Sequence, residues 1–292
     1  MKALNRKELV KFLGSYLVTG ACGGMGAAIC RSLTGSGHQV LGLDRVLPGQ
    51  SVPWRSLRAD ITDESSLSAL AESLRAEGCS LNGIVHAAGI YDLNSFAEIP
   101  EEDLIRIFNV NLFGMCRMNR LFLPLLEEGS RIVIISSELA PLRPLPFTGV
   151  YAVTKGAVEK YAYSLRMELQ LLGHRVIVIR PGAVSTGMLP ASTARLDRFC
   201  HETVLYRCNA ERFRDIVNRV EARNVPPERV AAKIRKALSA RRPRLLYALN
   251  RSPLLLLFSV LPSRAQLRII RFVISPRDNK AGRKSGRKET LE

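Results

Sequence analysis

Tyr151 and Lys155 stand four positions apart in the segment YAVTK, residues 151–155. Positions i and i+4 share a helix face, so on a helix this spacing sets a phenol beside an ammonium. A free phenol titrates near about pH 10 and a free lysine near about 10.4, so neither alone is a useful acid or base at neutral pH. A cation beside the phenol favours the phenolate and lowers its pKa, which suits the pair to moving one proton at a substrate oxygen. A second group is the turn Thr19-Gly20-Ala21-Cys22-Gly23-Gly24-Met25-Gly26. Its glycines let the backbone turn sharply and approach a pyrophosphate, whose charge then lies against the N-terminus of the following helix. Asp44 follows roughly 20 residues later, at the end of the next apolar run. A carboxylate there accepts hydrogen bonds from the adenosine ribose of NAD and repels the additional phosphate of NADP. The turn holds no Lys or Arg, and only Arg45 would welcome that phosphate, so NAD is the expected cofactor and NADP the less favoured one.

Such residues need a scaffold, and the chain is long enough to build one. Of its 292 residues 47% are apolar and 24% charged, the composition of an ordinary globular protein. Short β-branched runs alternate with helical patterns, which points to βαβ units and a parallel sheet. Strands are expected at 16–19, 38–44, 56–60, 81–89, 130–137 and 174–182, with helices at 24–35, 64–76, 100–126 and 150–172. The runs 132–135 and 176–179 are apolar on both faces, as strands covered on both sides must be. The expected fold is therefore α/β, a doubly wound parallel sheet of the Rossmann type, forming one catalytic domain over 14–250. Within it, 187–224 lacks strand signals and is long for a connection. Phe213, Ile216, Val217 and Val220 recur there at helical spacing, which fits either a core helix in an insertion or a lid over a pocket. VPPERVAAKIRKAL then opens a helix with proline in its first turn, and RLLYAL reads as a last strand.

Six short motifs now stand in order: TGACGGMG at 19–26, HAAG at 86–89, NLFG at 111–114, ISS at 135–137, YAVTK at 151–155 and PG at 181–182. In order and spacing they resemble the short-chain dehydrogenase/reductase family over about 14–190. The resemblance implies that Gly20, Gly24, Met25 and Gly26 form the pyrophosphate turn and that Asp60 and Ile61 flank the adenine. It implies that Ala87, Ala88 and Gly89 support the cofactor, and that Pro181, Gly182 and Thr186 hold its nicotinamide end. By the same likeness Tyr151 is the acid/base, Lys155 binds the nicotinamide ribose and lowers the Tyr151 pKa, a serine orients the substrate oxygen, and Asn111 supports a proton relay. Ser136 and Ser137 both fit the serine; Ser137 is preferred because the second of such a pair is usual in the family. His86 departs from the family's usual asparagine and is read as structural.

The implied activity is NAD-dependent interconversion of a lipophilic alcohol and its carbonyl, the cofactor carrying the hydride and the protein the proton. An NADPH-dependent carbonyl reductase is the rival enzyme. A nucleotide-sensing or scaffold protein without turnover is the rival of another class, and the intact Ser, Tyr and Lys speak against it. A homo-oligomer, dimer or tetramer, is also expected; no metal is.

The net charge of +17 is uneven: residues 205–292 hold 22 Lys and Arg against 7 Asp and Glu, and residues 1–204 hold 21 against 19. A neutral body with a basic end suggests an anionic partner at that end. The stretch 252–274 is too short and too interrupted to span a bilayer. Arg264, Arg268 and Arg271 fall on one helical face and Leu267, Ile270 and Ile274 on another, which fits a helix lying on an anionic membrane or one packed on the body. Nucleic acid is disfavoured because no aromatics interleave the basic residues. The lid and the basic, apolar end loosely resemble family members acting on steroids, retinoids or other lipids. Residues 276–292 read as a disordered basic tail. Six cysteines without CxxC pairs or a secretory peptide suggest a reducing, cytoplasmic setting, with membrane association peripheral.

Overall fold

The computed structural model describes residues 13–186, 188–221 and 223–275; the expectation for 276–292 lies outside the described residues. Seven strands, β1 (Ser15–Thr19), β2 (Gln39–Asp44), β3 (Arg55–Arg58), β4 (Leu81–His86), β5 (Leu126–Ile135), β6 (Arg175–Pro181) and β7 (Leu246–Leu249), form one sheet in the order β3-β2-β1-β4-β5-β6-β7. Every neighbouring pair is parallel. The central strand residues Leu17, Val18, Ile84, Val85, Ile132, Val133 and Ile134 are fully buried, which parallel strands achieve only with helices on both faces. Helices α1 (Gly24–Thr34) and α8 (Pro227–Ser239) cover the face carrying Val18, Val133 and Ile177. On the other face α2 (Glu64–Ala76), α4 (Gly114–Phe122) and α5 (Gly149–Leu169) cover Leu17, Ile84, Ile132 and Val176. Strand order reverses between β1 and β4, and a crevice opens at their C-terminal ends, where such sheets bind ligands.

Three elements differ from expectation. β3 covers 55–58 rather than 56–60, because the Asp60 carboxylate accepts hydrogen bonds from the N–H and hydroxyl of Thr62 and turns the chain. The single helix expected at 100–126 is α3 (Glu101–Phe108), a π turn at Asn109–Phe113, and then α4. The turn coincides with Asn111, whose side chain reaches out of the helix to pair with the backbone of Ile90. The segment 187–224 holds two helices, α6 (Met188–Glu202) and α7 (Arg207–Glu221), and a Val184–Val225 bridge closes its neck. Phe213 and Val217 of α7 are buried with Leu196 and Phe199 of α6 against Leu93 and Phe147.

Beyond β7 the chain forms α9 (Pro253–Ser259) and α10 (Ser263–Ile274). The buried Gln266 amide donates to the carbonyls of Phe258, Ser259 and Leu261, satisfying the end of α9 and fixing the two helices together. The expected apolar face of α10 is divided. Ile274 packs towards the α6–α7 cluster and its carbonyl accepts from Asn209, whereas Leu267 is 67% exposed. No helix among the described residues is long and apolar enough to cross a membrane.

Candidate active site

The glycine turn leaves β1 at Gly20, which adopts φ 71°, a left-handed conformation that favours glycine. A Cβ on Gly26 would lie 2.0 Å from the Gly20 carbonyl oxygen, and one on Gly24 2.7 Å from Cβ of Thr186, so the turn closes only with glycine at both. The Thr19 hydroxyl accepts from the N–H groups of Ala87 and Ala88, tying the end of β1 to the end of β4. The first-turn N–H groups of α1 have no intrahelical acceptor, and no side chain caps them. Asp44 sits beside this helix end, its carboxylate oriented by the N–H groups of Cys22 (2.9 Å) and Val46 (3.4 Å). Uncapped amides, a glycine-rich turn and an oriented carboxylate fit a dinucleotide.

From this turn a cavity of about 160 Å³ runs along the ends of β4, β5 and β6. Met25, Ala87, Ala88, Gly89, Pro181, Gly182 and Thr186 line it, together with Ser136, Ser137, Tyr151 and Lys155. Asp60 and Ile61 do not. The Ile61 side chain is in the core, against Gly114, which leaves its backbone to flank a base.

Tyr151 and Lys155 project from one face of α5, the Lys155 ammonium 5.7 Å from the Tyr151 ring centre. The Ser137 hydroxyl accepts from the Leu139 N–H at 3.2 Å and stands close enough to the Tyr151 hydroxyl to lower its pKa. The Ser136 hydroxyl instead donates to Glu159 at 2.8 Å, a carboxylate that also accepts two hydrogen bonds from Arg180. Of the two serines the structure thus sets Ser137 beside the phenol and Ser136 on Glu159. Asn111 is 4% exposed and uses its side chain on the N–H and carbonyl of Ile90 and on the Thr154 hydroxyl. A Cβ on Gly89 would fall between it and Lys155, 3.3 Å from the Asn111 oxygen and 3.7 Å from the ammonium.

Burial dominates the electrostatics. It pushes the Tyr151 pKa up to about 12, and the Ser137 hydroxyl pulls in the opposite direction. Burial also depresses Lys155 to about 8, against the attraction of Glu159 one helical turn on. The expectation that Lys155 lowers the Tyr151 pKa therefore differs from the arrangement seen, in which the ammonium donates to the Ile135 carbonyl at 3.0 Å. At neutral pH the pair is a phenol beside an ammonium, an arrangement ready to give a proton. His86 is wholly buried, lies outside this cavity and is held neutral by burial, its pKa lowered to about 4. Its Nε2 donates to Asn119, which in turn donates to the Tyr161 hydroxyl. Among the described residues no cluster of side chains could hold a metal ion.

Sequence reasoning passed over several cavity residues, three of them notable. Tyr91 meets the Tyr151 ring edge-on at 4.6 Å, Glu138 follows Ser137, and Leu255 reaches in from α9. Glu159 was also passed over, although its i+4 spacing from Lys155 was a usable signal.

The short chain dehydrogenase family matches residues 15–197. Among curated relatives, the 3-ketodihydrosphingosine reductase of Bacteroides thetaiotaomicron is 26% identical over 229 residues, 78% of this chain and 84% of its own. Estradiol 17-beta-dehydrogenase 2 of Mus musculus is 30% identical over 188 residues, 60% of this chain and 49% of its own. A short-chain dehydrogenase from Streptomyces avermitilis has the same fold, with a TM-score of 0.68, 24% identity and coverage of 89% of this chain and 94% of its own. So has the 3-ketoacyl-(acyl-carrier-protein) reductase of Brucella melitensis complexed with NADH, with TM-score 0.64, 22% identity and coverage of 81% and 95%. The chain belongs to the short chain dehydrogenase family, oxidoreductases of alcohol and carbonyl groups that bind a nicotinamide dinucleotide.

Proposed function

We propose that the protein is an NAD-dependent oxidoreductase that interconverts a lipophilic alcohol and its carbonyl, with Tyr151 as the acid/base. The observation that carries this reading is the convergence of Ser137, Tyr151 and Lys155 in one cavity whose other walls are largely apolar. The nicotinamide, when bound, supplies or accepts the hydride. Ser137 and Tyr151 hold the substrate oxygen between them, and Tyr151 gives it a proton as negative charge develops. Lys155, on the same face of α5, would hold the nicotinamide ribose beside Tyr151. In the reverse direction the phenolate takes the alcohol proton. Asn111, fixed by Ile90 and Thr154, keeps the π turn and Gly89 in place beside Lys155. The relatives that reduce 3-ketodihydrosphingosine or act on estradiol support an apolar substrate.

Asp44 supports NAD over NADP. NADH is expected to bind at least about tenfold more tightly than NADPH, because an additional phosphate would face this carboxylate. Asp44→Ala should narrow the gap. Titrating both cofactors into both proteins checks this, and tighter NADPH binding by the wild type would remove Asp44 from the role.

The reading includes peripheral attachment to anionic membrane through α9 and α10. Leu254, Leu257, Val260, Leu267 and Phe272 are between 66% and 82% exposed, and Arg264, Arg268 and Arg271 stand exposed on α10. Apolar side chains and arginines together suit an acyl and headgroup boundary. The same α9 places Leu255 in the cavity wall, which links the membrane to substrate entry. The full chain should cosediment with anionic vesicles at low salt, and less so as salt screens the charges. Replacing Leu254, Leu257 and Phe272 by Ser should abolish this without unfolding the protein, since all three face solvent. A wild type that ignores the vesicles contradicts attachment, and self-association through these helices would make the face a contact between copies.

A further inference from the structure

Glu138 directly follows Ser137, is 8% exposed, and lines the cavity with Ser137, Tyr151 and Lys155. Neither the hydride transfer nor the proton transfer has a use for it. One carboxylate oxygen, Oε2, accepts the Ser252 N–H at 2.7 Å, at the start of α9. The other, Oε1, lies 2.9 Å from where a Cβ on Gly182 would stand, against a residue that lines the cavity, and among the described residues no donor reaches it. Burial pushes the Glu138 carboxyl pKa up, and Arg251 acts on it without forming an ion pair. Lys155 does not pair with it either, being directed at the Ile135 carbonyl. Leu139, Val184 and Leu255 are among the apolar walls of the same cavity.

A buried carboxylate with unused acceptor capacity is costly, and a cation that pairs with it offsets that cost. A primary ammonium brings three donors on a compact head, which suits a narrow cavity. Ser137 and Glu138 are consecutive, with Cα atoms about 3.8 Å apart. Both line one cavity with Tyr151, so a single small substrate can reach Glu138 and the Ser137–Tyr151 pair. We propose that Glu138 is a specificity-determining residue that receives a substrate ammonium, so that the substrate is an amino alcohol or amino ketone with an aliphatic body. The proposal rests on the cavity being the alcohol and carbonyl site.

The test compares octylamine, protonated at neutral pH, with 1-octanol as ligands of the full chain loaded with NADH, by titration calorimetry. Octylamine is expected to bind roughly 10- to 100-fold more tightly, the range of a charge-assisted hydrogen bond. Glu138→Gln keeps an acceptor for Ser252 and should remove the preference while leaving octanol affinity unchanged. Glu138→Asp should retain part of it. Octylamine binding no more tightly than octanol to the wild type overturns the proposal, whatever the variants do, as does a preference that survives Glu138→Gln. If octanol binds and no amine preference appears, the inference fails alone. If neither ligand binds the NADH-loaded chain, the reading of the cavity falls with it.

Discussion

Tyr151→Phe should lower turnover by about 10²- to 10⁴-fold, the contribution of a positioned general acid or base, while the dissociation constant for NADH changes by no more than a few-fold. The variant removes one hydroxyl and leaves the ring. That ring still packs edge-on against Tyr91, and α5 still presents Lys155 towards the Ile135 carbonyl. What disappears is the proton that Ser137 helps to orient. Steady-state rates with fluorescence titration of NADH separate the two effects. Near-normal turnover by Tyr151→Phe would remove Tyr151 from the acid/base role.

Lys155→Ala should be worse, because it damages binding and chemistry together. The side chain is 6% exposed, and its ammonium satisfies the Ile135 carbonyl at the end of β5. Its loss empties the space beside Gly89 and Asn111 and leaves Arg180 as the cation at Glu159. Turnover is expected to fall at least as far as in Tyr151→Phe, and NADH affinity by about tenfold or more, as for loss of a buried charged contact. In the wild type the ammonium is present below pH about 8 and is lost as pH rises through that value. Carbonyl reduction should decline over the same interval. An alanine variant that bound NADH normally would contradict the ribose contact assigned to Lys155.

The parts of the fold and site that could be read from the sequence are those set by local residue identity. The glycine turn demands glycines for backbone reasons, Asp44 ends an apolar run, and the i+4 spacing of Tyr151 and Lys155 is a property of any helix. Strands β4, β5 and β6 are apolar on both faces, which already implies a covered parallel sheet. What escaped depends on partners distant in sequence. The π turn lies where Asn111 pairs with Ile90, 21 positions away, and nothing in the periodicity of 100–126 signals that contact. The different surroundings of Ser136 and Ser137 likewise depend on Glu159, which accepts from the Ser136 hydroxyl.

Helices α6 and α7 have short apolar stripes that bury mainly against each other and Phe147, so the pattern looked loose. Phe147 itself has φ 61°, a left-handed conformation unusual for a bulky residue, four positions before Tyr151. Its ring meets Phe199 at a tilt and Tyr206 and Phe213 edge-on, which couples the two-helix insertion to the start of α5. The division of the α10 face likewise follows from where α7 lies, which the helical spacing of Leu267, Ile270 and Ile274 does not contain.

Hydride transfer itself is tested most directly with NADH deuterated at the transferring C4 position. Incubation with a panel of lipophilic ketones and aldehydes, followed by mass spectrometry of the alcohols, reads out the label. Wild-type protein should place deuterium on the carbinol carbon of at least one of them, and Tyr151→Phe, still binding NADH, should place almost none. Equal labelling by the two proteins, or no labelled alcohol from any carbonyl while NADH is bound, would contradict an alcohol and carbonyl oxidoreductase working through Tyr151.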